Sequence, residues 1–320
     1  MTFSKSILAS VILAATCAIS MSAQANDTVK IAIGQRGNWD TAVPQLGSDA
    51  GIFKKHGIDL ELLYTQGGGE TMQAVISQSV DVGVAAGTIG VMAAFQKGAP
   101  VRIIGAQATG AADYWYVRAD SKLQSIKDAQ PETTIAYSTN GSSTNSIALG
   151  FKKAYNLKSK LVPTGSPSST FTQVMTGQVD VGWSSPPHGL EALADKKIRI
   201  VGRANDLDEI RGESIRTLIS NTAFVQNKAD VLKRFMAAYR ETVDWMYASD
   251  DALKAFAKFS KIDEATARKV RDDFFPKSLI DPDKMFGLDQ LVKDGIAFKS
   301  LKEPLTKEQL NTLVQIPPRP

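Results

Sequence analysis

The sequence predicts an α/β protein built from two similar units, and three observations carry that expectation. The phrase VDVG occurs twice, over residues 80–83 and 179–182, so that its aspartates, Asp81 and Asp180, stand 99 residues apart. Each copy follows a helix-like segment with apolar residues near its end, Met72-Gln73-Ala74-Val75-Ile76 in one case and Phe171-Thr172-Gln173-Val174-Met175 in the other. Around the first copy, strand-like and helix-like segments alternate, the order that yields a mostly parallel sheet flanked by helices.

Residues 29–33, VKIAI, read as the first strand, ending at Gly34 in the polar loop GQRGNWD. Residues 41–56 read as a helix: Pro44 falls in its first turn, where a missing N–H does no harm, and Gly57 stops it. Residues 58–64, IDLELLY, alternate as a strand does, and the run 66–71 leads into the next helix. The first VDVG opens a strand over 80–85, the small residues AGTIG lead into a helix ending at Lys97, and 101–106 form another strand. Residues 113–118 carry three aromatics and read as a strand leaving the first unit. From Ile126 the plan repeats: strand 134–137, loop STNGSSTNS, helix 147–155, a short strand at Leu161 and Val162, loop TGSPSS, a helix to Thr176, strand 179–183. Short strands follow at 198–202 and 216–220, and beyond Thr222 the chain reads as mainly helical. There Val231, Leu232, Phe235, Met236, Tyr239, Val243 and Met246 mark one apolar helix face. Each VDVG strand is expected to be buried, with Gly83 and Gly182 permitting close backbone approach at the strand's carboxyl end, where ligands sit in open α/β sheets. Asp81 and Asp180 stand where helix gives way to strand and are expected to cap or turn the chain.

Lys5 precedes an apolar run over residues 7–19, and Ala23-Gln24-Ala25 has the small-x-small form that signal peptidases cut after. Residues 1–25 therefore read as an export signal, and the mature chain is expected to begin at Asn26 in the periplasm. Cys17, within the removed segment, raises lipid attachment as an alternative, although Thr16 is a poor residue before a lipidated cysteine. Cleavage after Ala25 leaves no cysteine, which excludes disulfides, thiolate metal sites and a cysteine nucleophile. No later stretch approaches the roughly 20 apolar residues of a membrane span. The remaining length exceeds what one core tends to hold, so two domains are expected. The formal charge of +4 is modest and the basic residues form no run, which argues against nucleic acid as a partner. A monomer is expected.

The ordered set GIFKKHGIDL (51–60), the Gly67-Gly68 turn, the first VDVG with its small residues, GAPVRIIG (98–105), Asn140-Gly141-Ser142-Ser143 and the second VDVG resembles the periplasmic substrate-binding proteins of ABC importers. The branch it resembles handles sulfonates, taurine, nitrate and thiamine-precursor pyrimidines. The resemblance covers nearly the whole mature chain in the right order. It implies a two-lobed type II periplasmic binding protein fold, each lobe a mostly parallel sheet flanked by helices, with crossings near Tyr116 and Ile219. Lobe 1 would comprise residues 26–116 and 220–320, and lobe 2 residues 117–219. A ligand would lie in the cleft, the lobes would close on it, and an ABC permease with its ATPase would receive it. Part of the pyrimidine branch is an enzyme with a cysteine-rich motif, which this chain lacks.

Ligand contacts are expected on loops at strand ends. The loop Ser138, Thr139, Asn140, Gly141, Ser142, Ser143, Thr144 lies between a strand and a helix, so its N–H groups and hydroxyls can cradle an anion before the helix dipole. The same residue types suit an ordinary N-cap loop. Gly68 and Gly69 belong to the matching loop of the first unit, beside Glu70. Gln35, Arg36, Asn38 and Trp39 follow the first strand, where the resemblance implies that the cleft begins. Arg36 offers a two-pronged contact to a carboxylate or sulfonate, or equally a solvated surface position. Thr88, Trp183 and Ser184 occupy equivalent strand ends, Trp183 either covering a ligand or filling a core. Tyr114 and Trp115 would wall the cleft. His56 and His188 have no metal-ligand spacing, there is no GxSxG elbow, and GAQATGAA (105–112) lacks the Lys and Ser/Thr of a phosphate loop. No catalytic residue, metal or cofactor is expected. The function expected is capture of a small organic anion: a sulfonate, a taurine-like molecule or a carboxylate. The alternatives are a thiamine-precursor pyrimidine, an exported enzyme on the same scaffold, and a sensing rather than a transport role.

Overall fold

The computed structural model describes residues 26–319; the expected export signal, its cleavage motif and Cys17 lie outside the described residues. Among the described residues ten strands are formed: β1 (Asp27–Ile33), β2 (Ile58–Tyr64), β3 (Val82–Gly87), β4 (Val101–Ala108), β5 (Tyr114–Arg118), β6 (Thr134–Tyr137), β7 (Lys160–Pro163), β8 (Gly182–Ser184), β9 (Ile198–Arg203) and β10 (Arg216–Asn221). They divide between two lobes. The first sheet has the order β2-β1-β3-β10-β4, with β1 parallel to β2 and β3 and with β10 antiparallel to both its neighbours. In the second lobe the parallel pair β6-β7 and the antiparallel trio β8-β5-β9 are joined by a bridge between Ile135 and Val181, giving β7-β6-β8-β5-β9.

The two orders are one plan used twice. In each, three strands alternate with helices, and the single antiparallel strand is the one that enters from the connection between lobes: β5 opens the second sheet and β10 completes the first. The chain thus leaves the first sheet after Ala108 and re-enters it at Arg216. The expected crossings near Tyr116 and Ile219 fall inside β5 and β10, each of which belongs wholly to one sheet.

The repeated phrase has a structural meaning that is the same in both lobes. The helix Gly68–Ile76 ends in a left-handed residue, Gln78 (φ 60°), and the helix Pro167–Met175 ends the same way at Gly177 (φ 73°). One carboxylate oxygen of Asp81 then accepts the Lys30 N–H at 2.9 Å, while Asp180 accepts the Thr134 N–H at 2.8 Å and the Thr134 hydroxyl at 2.7 Å. Each aspartate therefore pins the incoming strand to its parallel neighbour, β1 in the first lobe and β6 in the second, the turn-and-cap role expected of it. The glycines differ from expectation. Gly83 lies near the start of β3, where a Cβ would press on Thr71, Val75 and Ile219; at Gly182 it would press on Val174 and Tyr116. What approaches closely is the preceding helix and the antiparallel strand, not a ligand.

One predicted helix is broken. Residues 41–56 form two short helices, Val43–Asp49 and Ile52–Lys55, because Gly51 takes a left-handed conformation (φ 74°) open to residues without a Cβ. The turn drives Ile52 and Phe53 into the core, the Phe53 ring 5.6 Å from Phe235. The long helix Ala229–Ala248 buries all seven residues of the apolar face marked in the sequence. Burial of each such side chain contributes about 1.5–3 kcal/mol, which fixes this C-terminal helix to the first sheet. The first sheet is covered on its two faces by separate apolar clusters, and the second lobe has a cluster of its own centred on Trp115, Phe151 and Trp183.

Candidate functional site

The strand-end loops of the two lobes face each other across a seam. Among the hydrogen bonds that cross it, Gly69 N–H donates to Thr139 Oγ1 (2.9 Å), Ser166 N–H donates to Gln66 Oε1 (3.2 Å), and His188 Nε2 lies 2.9 Å from the Arg36 carbonyl. Glycines set how near the lobes come. A Cβ on Gly69 would overlap the Asn140 carbonyl, and one on Gly87 or Gly90 would overlap the backbone at Gly141.

At the centre of the seam is a cavity of about 10 Å³, room for about one water, so a larger solute enters it only with the lobes apart. Its walls come from the loop after β1 (Gly34, Gln35, Asn38, Thr41), the end of β3 and Gly68, the Ser138–Thr144 loop, Trp183, and two residues at the crossings, Asp113 and Arg216. Arg216 organises it. Its Nε donates to Ser143 Oγ (3.1 Å) and its Nη1 to Asp40 Oδ2 (2.7 Å), while its Nη2 pairs with Asp113. All three charged side chains are buried, and Asp40 is steadied further by Gln107 Nε2 at 3.1 Å. Burial pushes the Asp113 carboxyl above its ordinary pKa, and the neighbouring Arg216 charge opposes that rise. Three polar atoms of its lining residues have no protein partner: Asn38 Oδ1, Asp113 Oδ1 and Trp183 Nε1. A wider groove of about 1060 Å³ also spans the lobes, between residues 187–194 and 260–269. It is open to solvent, whereas Asn38, Asp113 and Trp183 bring unpartnered buried atoms to the lining of the small cavity, where a polar ligand would recover hydrogen bonds.

The sequence-predicted residues divide into three groups. Gln35, Asn38, Gly68, Ser142, Ser143 and Trp183 line the cavity. Gly69, Thr139, Asn140 and Gly141 form the lobe–lobe seam beside it, where Asn140 Oδ1 accepts the Tyr137 hydroxyl at 2.5 Å. The rest lie outside the cavity, Tyr114 among them lining the wider interlobe groove. The Arg36 guanidinium lies over the rings of Tyr64 and Phe259, 5.1 and 4.8 Å from their centroids, because a cation–π seat on the surface is open to it and the cavity already holds Arg216. Trp39 packs edge-on against Tyr247 and Phe256 in the first core. Trp115 packs against Phe151 in the second and donates to the Ala136 carbonyl at 2.8 Å. Thr88 donates to the Ser214 carbonyl, and the Tyr114 and Ser184 hydroxyls both donate to the His188 carbonyl. Asp40, Asp113 and Arg216 were missed. Each offers one faint signal, a charge at the edge of an apolar run, but their pairing spans 103 and 176 residues of chain.

Among the described residues no group of three or more His, Cys, Asp or Glu side chains is placed to hold a metal ion, and no helix is long and apolar enough to cross a membrane.

Two like lobes, each offering its strand-end loops to a shared polar cavity, define the fold class of periplasmic solute-binding proteins. Residues 44–252 match the family model described as NMT1/THI5 like, and the chain belongs to that family. Solved structures agree on the fold. The chain is similar to the alkanesulfonate-binding protein SsuA from Xanthomonas axonopodis pv. citri bound to MOPS, with TM-score 0.74 and 17% identity over 91% of this chain and 98% of that one. It is similar to the periplasmic nitrate-binding protein NrtA from Synechocystis PCC 6803, with TM-score 0.70 and 12% identity over 91% and 86% of the two chains. The desulfurization enzyme DSZB also shares the fold, with TM-score 0.61 and 15% identity over 91% and 97%. No curated protein matches by sequence.

Proposed function

We propose that this chain captures a small polar solute between its lobes, outside the cytoplasmic membrane, and delivers it to an ABC permease. The observation that carries this reading is the convergence of loops from both lobes on one cavity whose buried Asn38, Asp113 and Trp183 atoms have no protein partner. A group in that condition forgoes about 1–3 kcal/mol until a ligand or water satisfies it. An acidic group on the solute is supported by Ser142, Ser143 and Thr144, which head the helix Ser143–Ala154 and line the cavity. Delivery to a permease is supported by family membership and by the relatives' printed roles in binding alkanesulfonate and nitrate.

Because ligand contacts reach both lobes at once, binding and closure share one free energy. Calorimetry against sulfonates, carboxylates, nitrate and pyrimidines, paired with small-angle scattering, tests the reading: saturable binding should come with a smaller radius of gyration. Binding without compaction would refute closure. The pair Ser142→Ala and Ser143→Ala should weaken a ligand bearing an acidic group, and unchanged affinity would remove that loop from the site. The fold likeness to the enzyme DSZB makes catalysis the second reading, and chemical change of the bound solute in the same assay would favour it.

A further inference from the structure

The charge inside the cavity says more about the solute than the loops do. Arg216 brings one positive charge against two carboxyl groups, Asp40 and Asp113, both paired with it, so the centre has no positive charge to spare. The guanidinium is already committed, with Nε, Nη1 and Nη2 bonded to Ser143, Asp40 and Asp113. An oxyanion arriving there would meet a cation whose charge two carboxylates have already claimed. The unpartnered atoms point the same way. Asn38 Oδ1 and Asp113 Oδ1 are acceptors awaiting a donor, Trp183 Nε1–H is a donor awaiting an acceptor, and all three side chains are 1% exposed and line this one cavity.

We infer that the solute is a small amino compound, net neutral or cationic, whose N–H groups are received by Asp113 Oδ1 and Asn38 Oδ1 while Trp183 Nε1–H donates to an acceptor on it. An acidic group, where the solute has one, sits at the Ser142–Thr144 end, which makes a zwitterion the best filled case and a bare sulfonate, nitrate or monocarboxylate a poor one. This rests on the reading of the cleft as a solute site. The physical ground is that a buried carboxyl oxygen and a buried amide oxygen left without donors penalise any ligand that brings only acceptors, whereas an N–H bond to them repays their desolvation.

Matched pairs differing in one amino group provide the test on the full mature chain by calorimetry: 2-aminoethanesulfonate against ethanesulfonate, 3-aminopropanoate against propanoate, and 4-aminopyrimidine against pyrimidine. In at least one pair the amino member should bind roughly 10- to 100-fold tighter, the range one charge-assisted bond provides. That preference should shrink in Asp113→Asn, which keeps the side chain's shape. Since Asp113→Asn also disturbs Arg216, the wild-type chain gives a second readout: small molecules released from the freshly purified protein, identified by mass spectrometry, should carry N–H groups and lack net negative charge. Equal or tighter binding of the deaminated members, or release of a plain anion, overturns the amino assignment and leaves solute capture standing. A chain that neither binds any member nor releases any small molecule overturns both.

Discussion

Arg216 is held between two buried carboxyl groups, Asp40 and Asp113. Three buried charges are costly to desolvate, and removing one partner leaves the others uncompensated, which costs about 3–5 kcal/mol. Arg216→Met should therefore lower stability by that much in denaturant titration. Adding Asp40→Asn and Asp113→Asn should return part of it, and a single-variant loss below about 1 kcal/mol would mean that the three side chains are solvated. Glu213 presents a different case. It lies in the connection that leads back to β10, is 1% exposed, and has both carboxyl oxygens unpartnered. Burial first, and then the negative charge of Asp294, push its pKa up to about 8 from an ordinary 4.5. The folded chain thus holds a proton that the unfolded chain releases above pH 4.5, so stability should fall as pH rises from about 4.5 to about 8 and level off beyond. Glu213→Gln should flatten that slope in melts across the same window. Asp294 also pairs at 2.8 Å with Lys153 of the second lobe, so the titrating group sits beside an interlobe ion pair.

At the scale of elements, the duplicated VDVG was legible because its components are local. A helix end, a left-handed residue, an aspartate and a buried strand follow one another within about ten residues, and each has a residue-type preference of its own. The aspartate's partner, by contrast, is 51 residues away for Asp81 and 46 for Asp180. Asp81→Ala should cost about 1 kcal/mol, the net worth of one hydrogen bond to backbone, and Asp180→Ala somewhat more, since it also loses the bond from the Thr134 hydroxyl. Hydrogen exchange should quicken at Lys30 in the first variant and at Thr134 in the second, and unchanged exchange would show that the strands are pinned without them. Strand positions were read within a residue or two both where apolar and polar residues alternate, as in β2, and where a short apolar run is bounded by loop residues, as in β6. The helix over 41–56 was read as continuous because hydrophobic spacing runs through Gly51, whose left-handed backbone is selected by the packing of Phe53 on Phe235.

For the molecule as a whole, the seam between lobes is built on backbone contact, and glycine makes that contact possible. Gly69 lies within the helix Gly68–Ile76, so Gly69→Ala should hold or raise the melting temperature through helix propensity while its Cβ collides with Asn140 across the seam. Ligand affinity and ligand-induced compaction should both fall; preserved compaction in scattering would place closure elsewhere. The sequence by itself determined the α/β class, the duplication, the ordered strands and helices, and the loops that reach the cavity, since these follow from periodicity and local turn chemistry. Only the tertiary structure decided that β5 and β10 are the antiparallel members of opposite sheets, that Arg36 turns outward onto Tyr64 and Phe259, and that Arg216, Asp40 and Asp113 meet at the centre. The reason is that charge pairing acts through space: which carboxylates a guanidinium meets depends on where two sheets bring distant strand ends, and no pattern along the chain records that distance.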